Sequence, residues 1–503
     1  MNNENFFSLI AARIRGAENA PFLTIPGGRR WSFGEIDQLS ARMAGALKNE
    51  HAVPGDRIAV QVEKSAENVA LYLACLRAGF VYLPLNTAYT DSELSYFIAD
   101  AEPAVFVCDP ARAASAPSEP RIMTLAADGR GGLADAAEIA AAASAIQPRS
   151  GDDLAAILYT SGTTGRSKGA MLTHRNLASN ATTLHALWGF RPGDVLLHAL
   201  PIHHIHGLFV ALNTALLNAS EVIFLPKFDV PEIRRQLSRS TVMMGVPTFY
   251  SRLLADAAFS SEERRNVRLF ISGSAPLTAE TFKAFEERTG HRILERYGMS
   301  EAGMIASNPL DGERIAGTVG YALPGVEIRV TEDGKILPPC ELGVVEVRGP
   351  NVFKGYWRMP EKTAEDFREG GWFSTGDIGF LSADGRLTLS GRAKDLIIVG
   401  GFNVYPKEIE EILDALPGVA ESAVIGVPHP DMGEGVVAVL VPQRGSPEAP
   451  PLSDASLNDA VSAVARFKRP RKFFWTDALP RNAMGKVQKQ ALRALHERAF
   501  SNG

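Results

Sequence analysis

Short apolar runs that end in turn residues alternate with amphipathic stretches along most of this chain. Residues 57–62 and 80–84 have the strand pattern, as do 154–159, 195–200, 221–225, 242–246 and 268–272. Helix-period stretches separate them, which predicts an α/β fold with mainly parallel sheets layered by helices. Residues 310–390 change character: short strands at 327–330 and 343–347 lie between Gly and Pro turns, predicting a compact, barrel-like β-rich subdomain. After Gly391-Arg392-Ala393-Lys394-Asp395 the pattern resets. A strand at 396–399 leads to Gly400-Gly401, and Pro406 opens a helix with Ile409, Ile412, Leu413 and Leu416 on one face. Strands at 423–427 and 436–441 follow. The expected division is a large N-terminal domain, 1–393, and a small, mobile α/β domain, 395–503. The Ala-rich residues 111–150 predict a helical excursion without catalytic work, and residues 1–15 predict an amphipathic helix without a secretory signal.

At 503 residues the chain is too long for one core, and roughly 100–200 residues per domain gives two to four units. It is 46% hydrophobic and 22% charged, with a formal net charge of −5, a balance that gives no reason to expect nucleic acid as partner. No apolar run approaches the roughly 20 residues needed to span a bilayer. Cys75, Cys108 and Cys340 are sparse, odd in number and unclustered, which argues for a reducing, cytoplasmic setting.

The densest chemistry follows the strand at 154–159: Thr160-Ser161-Gly162-Thr163-Thr164-Gly165-Arg166-Ser167-Lys168-Gly169. Glycines let backbone N–H groups converge on an anion, hydroxyls add donors and the two cations add charge, so the loop reads as a phosphate cradle. No register supplies a Walker A motif. A Thr/Gly-rich surface turn is the plain alternative.

This loop resembles the phosphate-binding signature of the adenylate-forming superfamily, which includes acyl-CoA synthetases, luciferases and peptide-synthetase adenylation domains. Four further segments resemble the superfamily's motifs, in its order. Arg296-Tyr297-Gly298-Met299-Ser300-Glu301 resembles its Tyr-Gly-x-Thr-Glu motif, with Ser for Thr; the resemblance implies that Glu301 is a Mg²⁺ ligand, a role that suits magnesium's preference for one or two carboxylates plus phosphate oxygens. Upstream, Ser272-Gly273-Ser274-Ala275-Pro276 resembles the segment against adenine, where small residues let a flat base approach. Ser374-Thr375-Gly376-Asp377 resembles a third motif, and the resemblance implies that Asp377 meets the ribose hydroxyls of ATP, with Arg392 a second ribose contact and Lys394 the hinge. Pro480-Arg481-Asn482-Ala483-Met484-Gly485-Lys486 places Lys486 in the active site during adenylation. A cation there stabilises charge building on the bridging oxygen and pyrophosphate, typically worth ~2.7–4 kcal/mol. Lys489 is the competing lysine.

Within the superfamily the chain resembles malonyl-CoA synthetases most, through His204-Ile205-His206-Gly207, Gly245-Val-Pro-Thr248-x-Tyr250-x-Arg252, Ser272-Gly273-Ser274-Ala275 and Glu295-Arg296-Tyr297-Gly298-Met299. The resemblance implies that His204 lies beside the acyl group, that His206, Ser272, Gly273 and Met304 line the acid pocket, and that Arg252 clamps a distal carboxylate. Losing one partner of a buried pair of that kind costs ~3–5 kcal/mol. A solvated surface Arg252 is the alternative, as is a metal site at His203, His204 and His206, although that spacing fits no common zinc pattern. Ala302-Gly303 after Glu301 is smaller than in malonyl-CoA synthetases and is expected to widen the pocket, which leaves methylmalonate or another short acid open. Gly400 and Gly401 would line the pantetheine path, and Arg466, Lys468, Arg469, Arg471 and Lys472 would meet the CoA nucleotide or be a solvated surface.

The function implied is AMP-forming ligation of malonate to CoA with ATP and Mg²⁺, the C-terminal domain turning about Lys394 between half-reactions. An adenylation enzyme loading a carrier protein and a non-catalytic nucleotide-binding homologue are the alternatives. Lys486 would suit a lysine acetyltransferase as partner, because acetylation removes its charge.

Overall fold

The computed structural model describes residues 3–117, 119–160, 167–260, 262–263, 265–443, 452–482 and 485–500. A nine-stranded sheet forms its centre. Strands Pro21–Thr24, Glu221–Phe224, Val195–His198, Val242–Gly245, Leu269–Ser272 and Leu294–Met299 run parallel in that spatial order. Antiparallel strands extend both edges: Arg30–Ser32 at one, Gly303–Ser307 and then Tyr321–Ala322 at the other. A second sheet joins Arg121–Thr124, Val105–Cys108, Arg57–Gln61, Val81–Pro84 and Leu154–Thr160 in parallel, with Lys168–Thr173 antiparallel at its edge.

The central parallel strands Val242–Gly245 and Leu269–Ser272 are buried end to end, as expected of strands covered on both faces. Helices begin where the sequence supplies caps. Ser32 with Glu35 and Thr90 with Glu93 form capping boxes, and Pro247 and Pro406 open helices Pro247–Ala255 and Pro406–Asp414. The N-terminal amphipathic helix runs Phe6–Ile14 and buries Phe6, Phe7, Ile10 and Ile14.

Two expectations need correction. Residues 111–150 are not a helical excursion: Arg121–Thr124 is a strand at the edge of the second sheet, and the one α-helix described there, Gly132–Ile139, is short. Alanine composition masked a strand whose partner decides its conformation. The β-rich part also starts later than 310. Tyr321–Ala322 still pairs with the nine-stranded sheet, whereas the separate antiparallel sheet is built from strands between Glu327 and Arg392.

Beyond Asp395 the chain makes its own sheet, Phe402–Val404, Ile397–Val399, Gly433–Pro442 and Val419–His429, with Lys472–Trp475 parallel to Gly433–Pro442. Two apolar clusters, one around Ile397, Ile409 and Leu457 and one around Ala423, Leu479 and Leu492, are made wholly of residues from this segment.

Candidate active site

The site residues gather where the parallel strands end, the usual ligand position in open α/β sheets. Val195–His198 leads into the segment carrying His203, His204 and His206; Val242–Gly245 leads to Thr248; Leu269–Ser272 leads to Ser274; and Leu294–Met299 leads to Glu301. From the second sheet, Leu154–Thr160 and Lys168–Thr173 pair in register at Thr160 and Lys168. The expected phosphate-loop residues Ser161, Gly162, Thr163, Thr164 and Gly165 lie outside the described residues.

At this phosphate end Thr160 Oγ1 and Tyr356 Oη both donate to Glu301 Oε1, at 3.4 Å each. Lys168 Nζ lies 3.8 Å from Asp366 and 4.3 Å over the Tyr356 ring. Burial lowers the Lys168 pKa, opposed by Asp366 and Glu301. Among the described residues there is no cluster of three or more His, Cys, Asp or Glu, so the three histidines form no metal cage. One carboxylate with a neighbouring hydroxyl, all oxygen donors, instead fits a magnesium ion whose remaining ligands are phosphate oxygens and water.

Asp377 lies on strand Trp372–Leu381 opposite Arg392. Arg392 Nε is 2.7 Å from Asp377 Oδ1, and the Tyr297 hydroxyl donates to Oδ2. Each oxygen of the proposed ribose carboxylate therefore already accepts one protein donor. A carboxylate has about four acceptor positions, so room for the ribose hydroxyls remains.

The end that carries His206, Ser272 and Arg296, the one expected at the acid, is more deeply buried. His206 and Ser272 are 0% exposed and Arg296 is 3% exposed. His206 Nδ1 lies 3.1 Å from Ser274 Oγ and the His206 N–H donates to His204 Nδ1 at 3.2 Å. His206 Nε2, Ser272 Oγ and two guanidinium nitrogens of Arg296, Nε and Nη2, have no hydrogen-bond partner. Burial keeps His206 neutral, with Arg296 adding to the effect, and holds His204 at about 3 through burial and then Lys486. Arg296 falls to about 9 through burial.

Several expected roles change here. A β-carbon on Gly273 would lie 2.5 Å from Arg296 Cζ, so Gly273 is small because the guanidinium packs on its backbone. Arg296, expected at ATP, packs its guanidinium against Gly273, a residue expected at the acid. Arg252 is exposed on helix Pro247–Ala255, one turn beyond Thr248, so the cost of orphaning a buried guanidinium does not apply to it. Gly303 does not widen the pocket: a β-carbon there would meet Asn180 Oδ1 at 2.9 Å, and φ is +55°. Met304 is buried opposite Gly298, whose missing side chain leaves room for Met304 Cε. Ala275, Pro276, Met299 and Ser300 lie in or beside the turns at the ends of Leu269–Ser272 and Leu294–Met299.

The C-terminal segment reaches into this cleft. Gly485 adopts φ +74°, and a β-carbon on it would lie 3.3 Å from Thr248 Oγ1. Lys486 keeps solvent contact within the cleft, yet its pKa is lowered, first by removal from bulk water and then by Arg392, with Asp377 and Glu301 opposing. Its N–H donates to Asn482 Oδ1 at 3.0 Å. The competitor Lys489 is 2.6 Å from Glu410, within its own segment. Ala483 and Met484 lie outside the described residues.

Lys394 is exposed in the 3-10 turn Ala393–Asp395, and Gly400 and Gly401 form the exposed turn between Ile397–Val399 and Phe402–Val404. Of the basic run, Lys468 pairs with Glu408 at 2.8 Å, Arg469 donates to the Ser462 and Val464 carbonyls, and Arg471 reaches Met432 Sδ. Lys472 Nζ in turn lies 5.6 Å over the Phe500 ring.

Residues 10–357 match the AMP-binding enzyme family, and residues 408–486 match the AMP-binding enzyme C-terminal domain, ending on Lys486 itself. The chain belongs to the AMP-binding enzymes, the adenylate-forming acyl-CoA synthetases. A malonate–CoA ligase of Arabidopsis thaliana is 36% identical, over 93% of this chain and 84% of the relative. A sulfoacetate–CoA ligase of Cupriavidus necator is 34% identical over 96% of each. ATP-bound MatB from Rhodopseudomonas palustris superposes with a TM-score of 0.96 at 52% identity, covering 99% of this chain and all of that one. Apo MatB, at the same identity and coverage, gives 0.85. At equal identity and coverage, this adenylate-forming enzyme thus superposes better on the ATP-bound structure than on the apo one. No helix among the described residues is long and apolar enough to cross a membrane.

Proposed function

We propose that the protein is an AMP-forming malonyl-CoA synthetase, converting malonate, ATP and CoA to malonyl-CoA, AMP and pyrophosphate. The observation that carries this reading is the acid end of the cleft. A buried guanidinium with two unpaired nitrogens stands beside the unpaired Nε2 of His206 and the Ser272 hydroxyl. A long alkyl chain would leave those groups orphaned, at a cost of several kcal/mol. A short acid with a second anionic group satisfies them, because guanidinium matches carboxylate in a bidentate fork. Arg252 stands one turn from Thr248 and would close over the same group from the exposed side.

In the first half-reaction a malonate carboxylate oxygen attacks the α-phosphorus and the bond to pyrophosphate breaks. Lys486 meets the charge that develops on the bridging oxygen and the leaving group. Glu301 and Thr160 would hold Mg²⁺, which would neutralise phosphate charge. Asp377 and Arg392 hold the ribose, while neutral His204 lies beside the acyl group without competing as a cation. The small domain, 395–503, then turns about Lys394, Lys486 withdraws, and the CoA thiol displaces AMP along a path past Gly400 and Gly401. Such rotations need few hinge residues. The reading places the enzyme in the cytoplasm, and Lys486 is the lysine an acetyltransferase would silence.

The test is pyrophosphate release across malonate, methylmalonate, sulfoacetate, acetate and octanoate, each with and without CoA. Malonate should be turned over best, and octanoate should be inert. A preference for acetate or octanoate would contradict the acid reading. Sulfoacetate stands as the second reading because it too carries a distal anion and is the substrate named for one relative.

A further inference from the structure

A half-buried lysine outside the machinery above stands behind the acid site. Lys64 lies between strand Arg57–Gln61 of the second sheet and helix Ala66–Ala78. Its Nζ is 2.8 Å from His198 Nδ1, donates to the His198 carbonyl at 3.0 Å, and sits 4.3 Å over the Phe224 ring. His198, fully buried, is the last residue of strand Val195–His198 in the central sheet. Its Nε2 lies 2.9 Å from the carbonyl oxygen of Gly207.

The hydrogen-bond directions follow from chemistry. The Gly207 carbonyl only accepts, so the ring proton sits on Nε2 and is donated to it, which leaves His198 Nδ1 to accept from Lys64 Nζ. Gly207 closes the turn that carries His203, His204 and His206, and a β-carbon on it would lie 2.1 Å from the Pro201 carbonyl. The turn opens a π-helix, His206–Leu212. That geometry is rare and is frequently found at functional sites. Relaxing it to an ordinary α-turn would rotate His206 about the helix axis and away from Ser274.

We propose that Lys64 is a positioning residue for the acid site: it fixes the His198 tautomer, and through Gly207 that tautomer holds the π-turn that presents His206. The relay also ties the ends of the two sheets together, so that His206 on one is referenced to Lys64 on the other. This rests on the proposal that His206 lines the acid pocket. Malonate turnover by the unaltered enzyme tests that proposal separately.

The experiment is a double-mutant cycle on the full chain, measuring kcat and KM for malonate and for ATP in Lys64→Met, His198→Leu and the double variant. Each single change is expected to raise the malonate KM about tenfold and leave the ATP KM within about twofold, and the double variant should be no worse than the worse single. His198→Gln, which can accept from Lys64 and donate to Gly207, should recover most of the loss. Multiplying losses in the double variant, or an equal rise in both KM values, would overturn the proposal. So would a Lys64→Met enzyme with an unchanged malonate KM. ¹⁵N-histidine NMR of the unaltered enzyme gives an answer that needs no variant to fold. A His198 ring protonated on Nε2 is expected, and one protonated on Nδ1 refutes the relay.

Discussion

At the nucleotide end of the cleft the charged side chains already have protein partners, whereas at the acid end the deepest polar groups stand unpaired. Asp377 accepts from Arg392 and Tyr297, and Lys168 faces Asp366. Arg296, His206 and Ser272 keep orphaned atoms in a buried setting. Paired charges fix a geometry before the ligand arrives and lower the ordering that binding requires. Orphaned buried groups raise the free energy of the empty site and reward only a ligand that completes them. Under the proposed function, the end around Asp377 would hold the common co-substrate and the end around Arg296 would choose the acid.

The sharpest way to break this contrast is to remove the group that serves both ends. Lys486→Ala should lower acid-dependent pyrophosphate release by at least 10²-fold, as loss of a transition-state charge partner does. Next, Arg296→Met should cut kcat/KM for malonate by about 10²-fold, consistent with the loss of a buried charge-assisted pair, and affect acetate far less. Arg252→Ala should cut malonate turnover more than acetate turnover but by less, because Arg252 is exposed; equal losses for the two acids would remove it from the acid site. Asp377→Asn should raise the ATP KM about tenfold and leave the ratio of malonate to acetate unchanged; a change in that ratio would show that the two ends are not separable.

The smallest effect concerns stability. Burial holds His203 at about 4 and His204 at about 3, against 6.5 for a free histidine. As pH falls below 6.5 the unfolded chain takes up these protons and the folded one does not, so stability is full above 6.5 and is lost toward pH 4. His203→Gln should flatten the fall in melting temperature between pH 6.5 and 4. An unchanged slope would mean that His203 is not held neutral by the fold.

Much of the architecture was legible in the order of residues. Strands expected at 195–200, 242–246 and 268–272 form at Val195–His198, Val242–Gly245 and Leu269–Ser272, where apolar runs meet Gly, Pro and Ser. What escaped was whatever depends on a partner distant in sequence. Arg121–Thr124 is a strand because Val105–Cys108 lies beside it. Arg296 belongs to a nucleotide motif by its neighbours in the chain, yet it packs against Gly273, and only the fold brings those two together. Lys64 and His198 are 134 residues apart and carry no motif. Gly303 read as a missing side chain in a pocket, but its small size accommodates Asn180. Local chemistry is written locally, whereas specificity here is assembled from side chains that meet only after folding.

The most direct measurement separates the half-reactions in Lys486→Ala. With malonate, ATP and Mg²⁺ the variant should release no pyrophosphate above background, while supplied malonyl-adenylate and CoA should give malonyl-CoA at close to the unaltered rate. Equal loss of both steps, or formation of ADP in place of AMP by the unaltered enzyme, would contradict the claim that this lysine enters the cleft to drive adenylation alone.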